Sequence, residues 1–146
     1  MRKRLACLAI GLALTGGAGL TLTGCAEPGA FSQARCPAGT PSLMVALFFG
    51  RSMPDGGMVS DQDWRRFEDQ VLARDLPDGF TVLDASGAWR SPQGHNTSHE
   101  PTRLVLVSLP DRPDALAPVQ RVRAAYQARF HQQLVGMSVS QSCGAF

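Results

Sequence analysis

Two short, unbroken apolar runs constrain this chain most: Leu43 to Phe49, closed by Gly50, and Leu104-Val105-Leu106-Val107 within Thr102 to Leu109, closed by Pro110. Each is too short for a typical helix and lacks the polar alternation of a half-solvated strand, so both read as strands covered on both faces. Strands of that kind belong at the centre of a sheet.

The signals around them fall in a definite order. After an Arg51 to Met58 loop containing Pro54-Asp55-Gly56-Gly57, Ser60 is a good N-cap, Asp61 and Asp63 sit in the electropositive first turn, and Val59 and Trp64 occupy the staple positions. Trp64, Phe67, Val71 and Leu72 make one helical apolar stripe, which Leu76-Pro77-Asp78-Gly79 ends. Phe80 to Leu83 is β-prone, and Ser86-Gly87 predicts a bulge or turn before Trp89. A polar loop is expected from Ser91 to Pro101. A second helix is expected from about Asp114 to His131, with Pro118 near its start and Val119, Val122, Tyr126 and Phe130 as its stripe. Val135, Met137, Val139, Gln141 and Cys143 then alternate with Gly136, Ser138, Ser140 and Ser142, predicting a half-exposed strand.

Strand, helix, strand, strand, helix, strand is the split βαβ pattern, so the expected class is α+β: a ferredoxin-like βαββαβ fold, a four-stranded antiparallel sheet with two helices on one face. The expected spatial order is 4-1-3-2, with the two apolar runs in the middle. Both helices cover one face, so Met44, Ala46 and Phe48 can lie opposite Leu43, Val45, Leu47 and Phe49 on a face that nothing covers. A bare apolar face predicts an interaction surface, either a face-to-face homodimer or a small apolar ligand held over the sheet. Cover by the N-terminal tether and the Ser91 to Pro101 loop is the alternative.

The first 24 residues read as an address. Arg2-Lys3-Arg4 precedes an apolar run from Leu5 to Leu22, and Leu22-Thr23-Gly24-Cys25 fits a lipobox, so residues 1–24 are expected to be a lipoprotein signal peptide and Cys25 the lipidated residue. A spanning anchor is the competing interpretation, but the run is rich in Gly and Thr and stops at the cysteine. Cys25 would hold several acyl chains, each buried methylene adding about 0.8 kcal/mol of membrane affinity. Ala26 in place of Asp favours the outer over the inner membrane, with the domain in the periplasm of a bacterial envelope. Residues 25–41, rich in Pro and Gly, are expected to be a flexible tether, and 42–146 one α+β domain.

Cutting after residue 24 leaves 122 of the 146 residues and removes three of the 14 Lys and Arg, so 11 cations face 12 Asp and Glu. That balance leaves no basic run for a phosphate backbone, and nucleic acid is not an expected partner. Lys3 is the only lysine, which excludes Schiff-base chemistry and a P-loop lysine. Cys7 leaves with the signal and Cys25 takes lipid, so Cys36 and Cys143 remain to pair in an oxidising compartment, two unrelated buried thiols being the alternative.

Candidate chemistry is sparse. His95, His99 and Glu100 have roughly the spacing of zinc ligands, but Gly94 and Pro101 make a helix there improbable, and neither a metal nor a cofactor is expected. Arg51 and Arg90 could form a cationic rim for a carboxylate or phosphate, and Glu100 could instead pair with an arginine on the surface. Tyr126 and His131 are accounted for by core packing and by a helix C-terminus.

Leu47-Phe48-Phe49-Gly50-Arg51, Val59-Ser60 with Trp64, Pro77-Asp78-Gly79-Phe80-Thr81-Val82-Leu83-Asp84, Gly87 with Trp89-Arg90, Glu100, and Tyr126 with Phe130 together resemble the domain of unknown function 3574 family. The resemblance covers about residues 42 to 143. It implies a small secreted or lipid-anchored bacterial protein and transfers no catalytic residue. Two functions are therefore expected to compete: a non-catalytic envelope binding module, dimeric through the open face, and a small dimeric α/β-barrel-type enzyme for an apolar or anionic substrate, using Arg51, His99, Glu100 or Tyr126.

Overall fold

A computed structural model describes residues 36–90 and 96–145. Its elements are β1 (Thr40–Gly50), α1 (Asp61–Phe67), a π-helical turn (Glu68–Leu72), α2 (Ala73–Asp75), β2 (Thr81–Arg90), β3 (Thr97–Pro110), α3 (Ala117–Phe130) and β4 (Gly136–Gly144). The four strands form one antiparallel sheet in the order β2-β3-β1-β4. This is the expected order read from the other edge, and the fold is ferredoxin-like α+β.

The two apolar runs are the central strands, each flanked by a strand on both edges, but only one of their two faces is covered by the helices. Val45 opposes Val107 and Leu47 opposes Val105, and all four are buried, together with Phe49 and Leu109. The helices supply the other half of the core. Phe49, Trp64, Phe67, Tyr126 and Phe130 stack largely edge to face, with Phe49 and Tyr126 centroids 4.8 Å apart, a geometry that aligns ring edges with ring faces.

Ser60 caps helix 61–75 as expected: its Oγ accepts from the Asp63 N–H at 3.1 Å and donates to Asp63 Oδ2 at 2.6 Å. The π-helical turn within this helix is not visible in the 3.6-residue spacing; it keeps Phe67, Val71 and Leu72 all buried while the chain runs on to Asp75. Asp75 then ties the two helices together, accepting from Arg121 Nε at 2.9 Å and Arg74 Nη2 at 2.7 Å.

Three boundaries and one expected bulge differ from expectation. Thr40 and Pro41, expected in the tether, already belong to β1. The second helix starts at Ala117 rather than Asp114, whose left-handed backbone (φ 64°) and hydrogen bond from the Ala117 N–H make a turn first. β3 begins at Thr97, so residues 97–101 are strand, not loop. Ser86-Gly87 is neither bulge nor turn, because β2 pairs residue by residue with β3 from Thr81 to Arg90. Gly87 serves a different need: a Cβ there would come within 2.9 Å of Thr102 Oγ1.

Cys36 and Cys143 are disulfide-bonded, with Cα atoms 5.4 Å apart. The bridge joins the approach to β1 with the end of β4, and Pro41 pairs with Cys143 in the β1–β4 ladder. Sequence topology and cysteine position thus agree.

Candidate functional site

Directly paired residues share a sheet face, so the register sorts the side chains. Val45, Leu47, Phe49, Val105 and Val107 face the helices. Met44, Ala46 and Phe48 of β1, Leu104 and Leu106 of β3, and Thr81, Leu83, Ala85, Gly87 and Trp89 of β2 share the other face. Ser138, Ser140 and Ser142 of β4 complete it. Among the described strand residues, Glu100 is the only formal charge on this face. Phe48, Leu83 and Trp89 are 44%, 43% and 53% exposed. The face is thus broad and nearly uncharged, with an apolar band across its middle formed by Met44, Ala46, Phe48, Leu104, Leu106 and Leu83, and with Ser42, Ser108, Thr102 and Ser98 at its two ends. Toward the Thr40 end it carries a shallow depression of about 760 Å³ bordered by Ser42, Met44, Thr81 and Leu106.

At the opposite end, where β1 stops, a polar cluster lies on the helix side. Arg51 grips the Val59 carbonyl with Nε at 2.9 Å and Nη2 at 2.6 Å, and its Nη2 reaches Asp61 Oδ1 at 2.9 Å. Arg103 Nη2 meets the same oxygen at 2.8 Å, while its Nη1 pairs with Asp84, the residue opposite it on β2. The Arg51 charge, against a desolvation that works the other way, and the hydrogen bond and charge of Arg103 hold the Asp61 carboxyl below its ordinary value. Tyr126 donates to the Gly50 carbonyl at 3.0 Å from a fully buried ring, and burial pushes its phenol far above the ordinary value. Two buried donors here, Trp64 Nε1 and Arg103 Nε, have no acceptor among the described residues.

The expected site residues are only partly brought together. Arg51 and Tyr126 do converge on the end of β1. Glu100 lies on the open face, its carboxylate filling the space above Gly50, where a Cβ would come within 2.9 Å of both oxygens. Glu100 forms no ion pair with an arginine among the described residues; the arginine on its strand is Arg103, which Asp61 and Asp84 occupy. The Arg51–Arg90 rim does not form: Arg90 pairs with Thr97 at the far end of the β2–β3 hairpin, five pairs beyond the level of Gly50. His99 is exposed on the helix side of that hairpin. Cys25 and His95 lie outside the described residues. Among those described, no three His, Cys, Asp or Glu side chains gather as metal ligands would.

Sequence reasoning set Arg103 beside Glu100 at the entry to β3, near Arg90; it missed Asp84, the partner opposite Arg103, and the bridging role of Asp61. Only strand register brings Arg103 opposite Asp84, and an Asp in the first turn of a helix is already explained by the helix dipole.

A four-stranded antiparallel sheet, helices on one side and an open apolar face on the other, defines this protein as a ferredoxin-like α+β domain. Residues 44–146 match the family described as "Protein of unknown function (DUF3574)", and the chain belongs to that family. No protein of curated function matches its sequence. Among solved structures it is similar to a phage SAM lyase in complex with S-methyl-5'-thioadenosine, at 13% identity and TM-score 0.52, covering 73% of this chain and 92% of that one. The lyase in its apo state gives 14% and 0.49 over 73% and 92%, and CutA1 from Oryza sativa 8% and 0.48 over 74% and 85%. At such identities the likeness to the lyase complex is one of fold.

Proposed function

We propose that this chain is a bacterial envelope lipoprotein whose domain works by association: a non-catalytic binding or interaction module that pairs with a second copy over its open sheet face, with room for a small apolar ligand. The observation that carries this reading is the open face itself, on which Phe48, Leu83 and Trp89 stand exposed and one carboxylate is the only charge among the described strand residues. Removing such side chains from water contributes about 1.5 to 3 kcal/mol each for full burial. The Leu22-Thr23-Gly24-Cys25 lipobox supports anchoring through Cys25, and Ala26 in place of Asp supports the outer rather than the inner membrane, with the domain in the periplasm. Size-exclusion chromatography with light scattering on the full-length protein in mild detergent tests the association. Two copies per particle are expected; a single copy that also fails to bind a hydrophobic dye overturns it.

A second reading, a small dimeric α/β-barrel-type enzyme for an apolar or anionic substrate, draws on the opposite end of β1. There Arg51 and Arg103 are largely buried, and Trp64 Nε1 and Arg103 Nε have no acceptor among the described residues. It predicts that Arg51→Gln abolishes ligand binding while the fold survives. Against it, both guanidiniums are engaged by Asp61, and Tyr126 holds its proton too firmly to act as a base near neutral pH.

A further inference from the structure

The β2–β3 hairpin is longer than the sheet it belongs to. β1 ends at the level of Thr102, yet five more pairs, from Ser86–Pro101 to Arg90–Thr97, carry the hairpin about 17 Å farther at 3.4 Å per residue. This arm has no third strand among the described residues, and a bare two-stranded hairpin is at best marginally stable in water. Its inner edge is also unpaired among the described residues. Arg51 N–H donates to the Pro101 carbonyl at 2.9 Å, so alternate β3 residues turn their backbone groups toward β1. The next two, His99 and Thr97, point past its end. Near the tip, Trp89 stands 53% exposed on the open-face side.

We propose that this arm is a clasp for a second copy of the chain: it lies across the open face of the next protomer, with Trp89 set against the apolar surface around Leu83, Leu104 and Leu106. This rests on the association proposed above and adds the element that specifies it.

The size of the surface fits this occupant. Three strands over nine levels, β2 over five of them, and the five-pair arm, at about 4.8 Å between strands and 3.4 Å per residue, offer roughly 700 Å² of flat area, close to the ~800 Å² per partner of a standard stable interface. The chemistry fits as well. A tryptophan near the end of a short ribbon brings large contact area with only two side-chain torsions to order, and the surface it meets around Leu83, Leu104 and Leu106 is aliphatic and almost free of charge. The free edge at His99 and Thr97 offers strand-type hydrogen bonds to the same neighbour.

The chain carries its own reporter, since Trp64 and Trp89 are its two tryptophans and Trp64 is 2% exposed. Full-length protein in detergent is to be followed by native mass spectrometry and by acrylamide quenching of tryptophan emission, for the wild type, Trp89→Ser and Leu83→Asp. Wild-type oligomers with poorly quenched emission, and at least tenfold weaker association for Trp89→Ser with a folded far-ultraviolet spectrum, are the expected results. Oligomers that Leu83→Asp breaks and Trp89→Ser leaves intact overturn the clasp and leave the open-face reading standing. A wild-type monomer with freely quenched Trp89 overturns both.

Discussion

Tyr126 is the only tyrosine in the chain, so an absorbance titration reads it alone. Desolvation favours the neutral phenol in the folded state, opposed by the nearby charges of Arg51 and Arg103 and helped by that of Glu100. The unfolded chain releases its phenolic proton near pH 10 and the folded one holds it, so the stabilisation is complete below about pH 10 and is lost as pH rises further. No phenolate absorbance is expected in folded protein at pH 10.5; half-ionisation near pH 10 with intact ellipticity would contradict the buried hydrogen bond to Gly50. Asp61 has the opposite sign. Its carboxyl is held below the ordinary value of 3.8, chiefly by Arg51, so its contribution is present above about pH 4 and disappears as pH falls. The difference in urea midpoint between wild type and Asp61→Asn is therefore expected to narrow from pH 6 to pH 3, and a constant difference would contradict the shared bridge. Tyr126 was legible as a core residue from its helical spacing. The Asp61 bridge was not, because it joins residues 10 and 42 positions away whose proximity only the folded register creates.

At the level of elements, patterning carried most of the architecture. The apolar runs named β1 and β3, the Ser60 cap and Trp64 stripe named the first helix, and alternation named β4. The failures have physical causes. β3 from Thr97 to Pro101 is polar because the arm has helix cover on neither side, and a strand without a buried face leaves no period-two signal. Gly87 looked like a bulge because local sequence does not show that Thr102 needs its space. The disulfide closes a separation of 107 residues. Cys143→Ser is expected to cost about 4 to 5 kcal/mol by the chain-entropy estimate, measured as unfolding free energy in urea. Alkylation of both thiols in unreduced native protein would contradict the bridge.

For the whole molecule, one sheet separates two different surfaces. The helix side buries an aromatic core and ends in a cluster of ion pairs, whereas the open side leaves apolar side chains in water with a protruding arm beside them. Sequence alone exposed this asymmetry, since both central runs were apolar at consecutive positions, but neither the arm's length nor the place of Glu100 could be read without register. If the proposed pairing holds, the depression near Met44 and Leu106 would lie beneath the second copy, where a small apolar ligand could sit.

Hydroxyl-radical footprinting of the full-length protein in its native membranes tests the covered open face most directly. Met58 and Leu134, 53% and 67% exposed and outside the four strands, serve as internal references. Phe48, Leu83 and Trp89, after correction for intrinsic reactivity, are expected to oxidise several-fold more slowly than these two. Equal rates at all five positions would show that the open face meets only water.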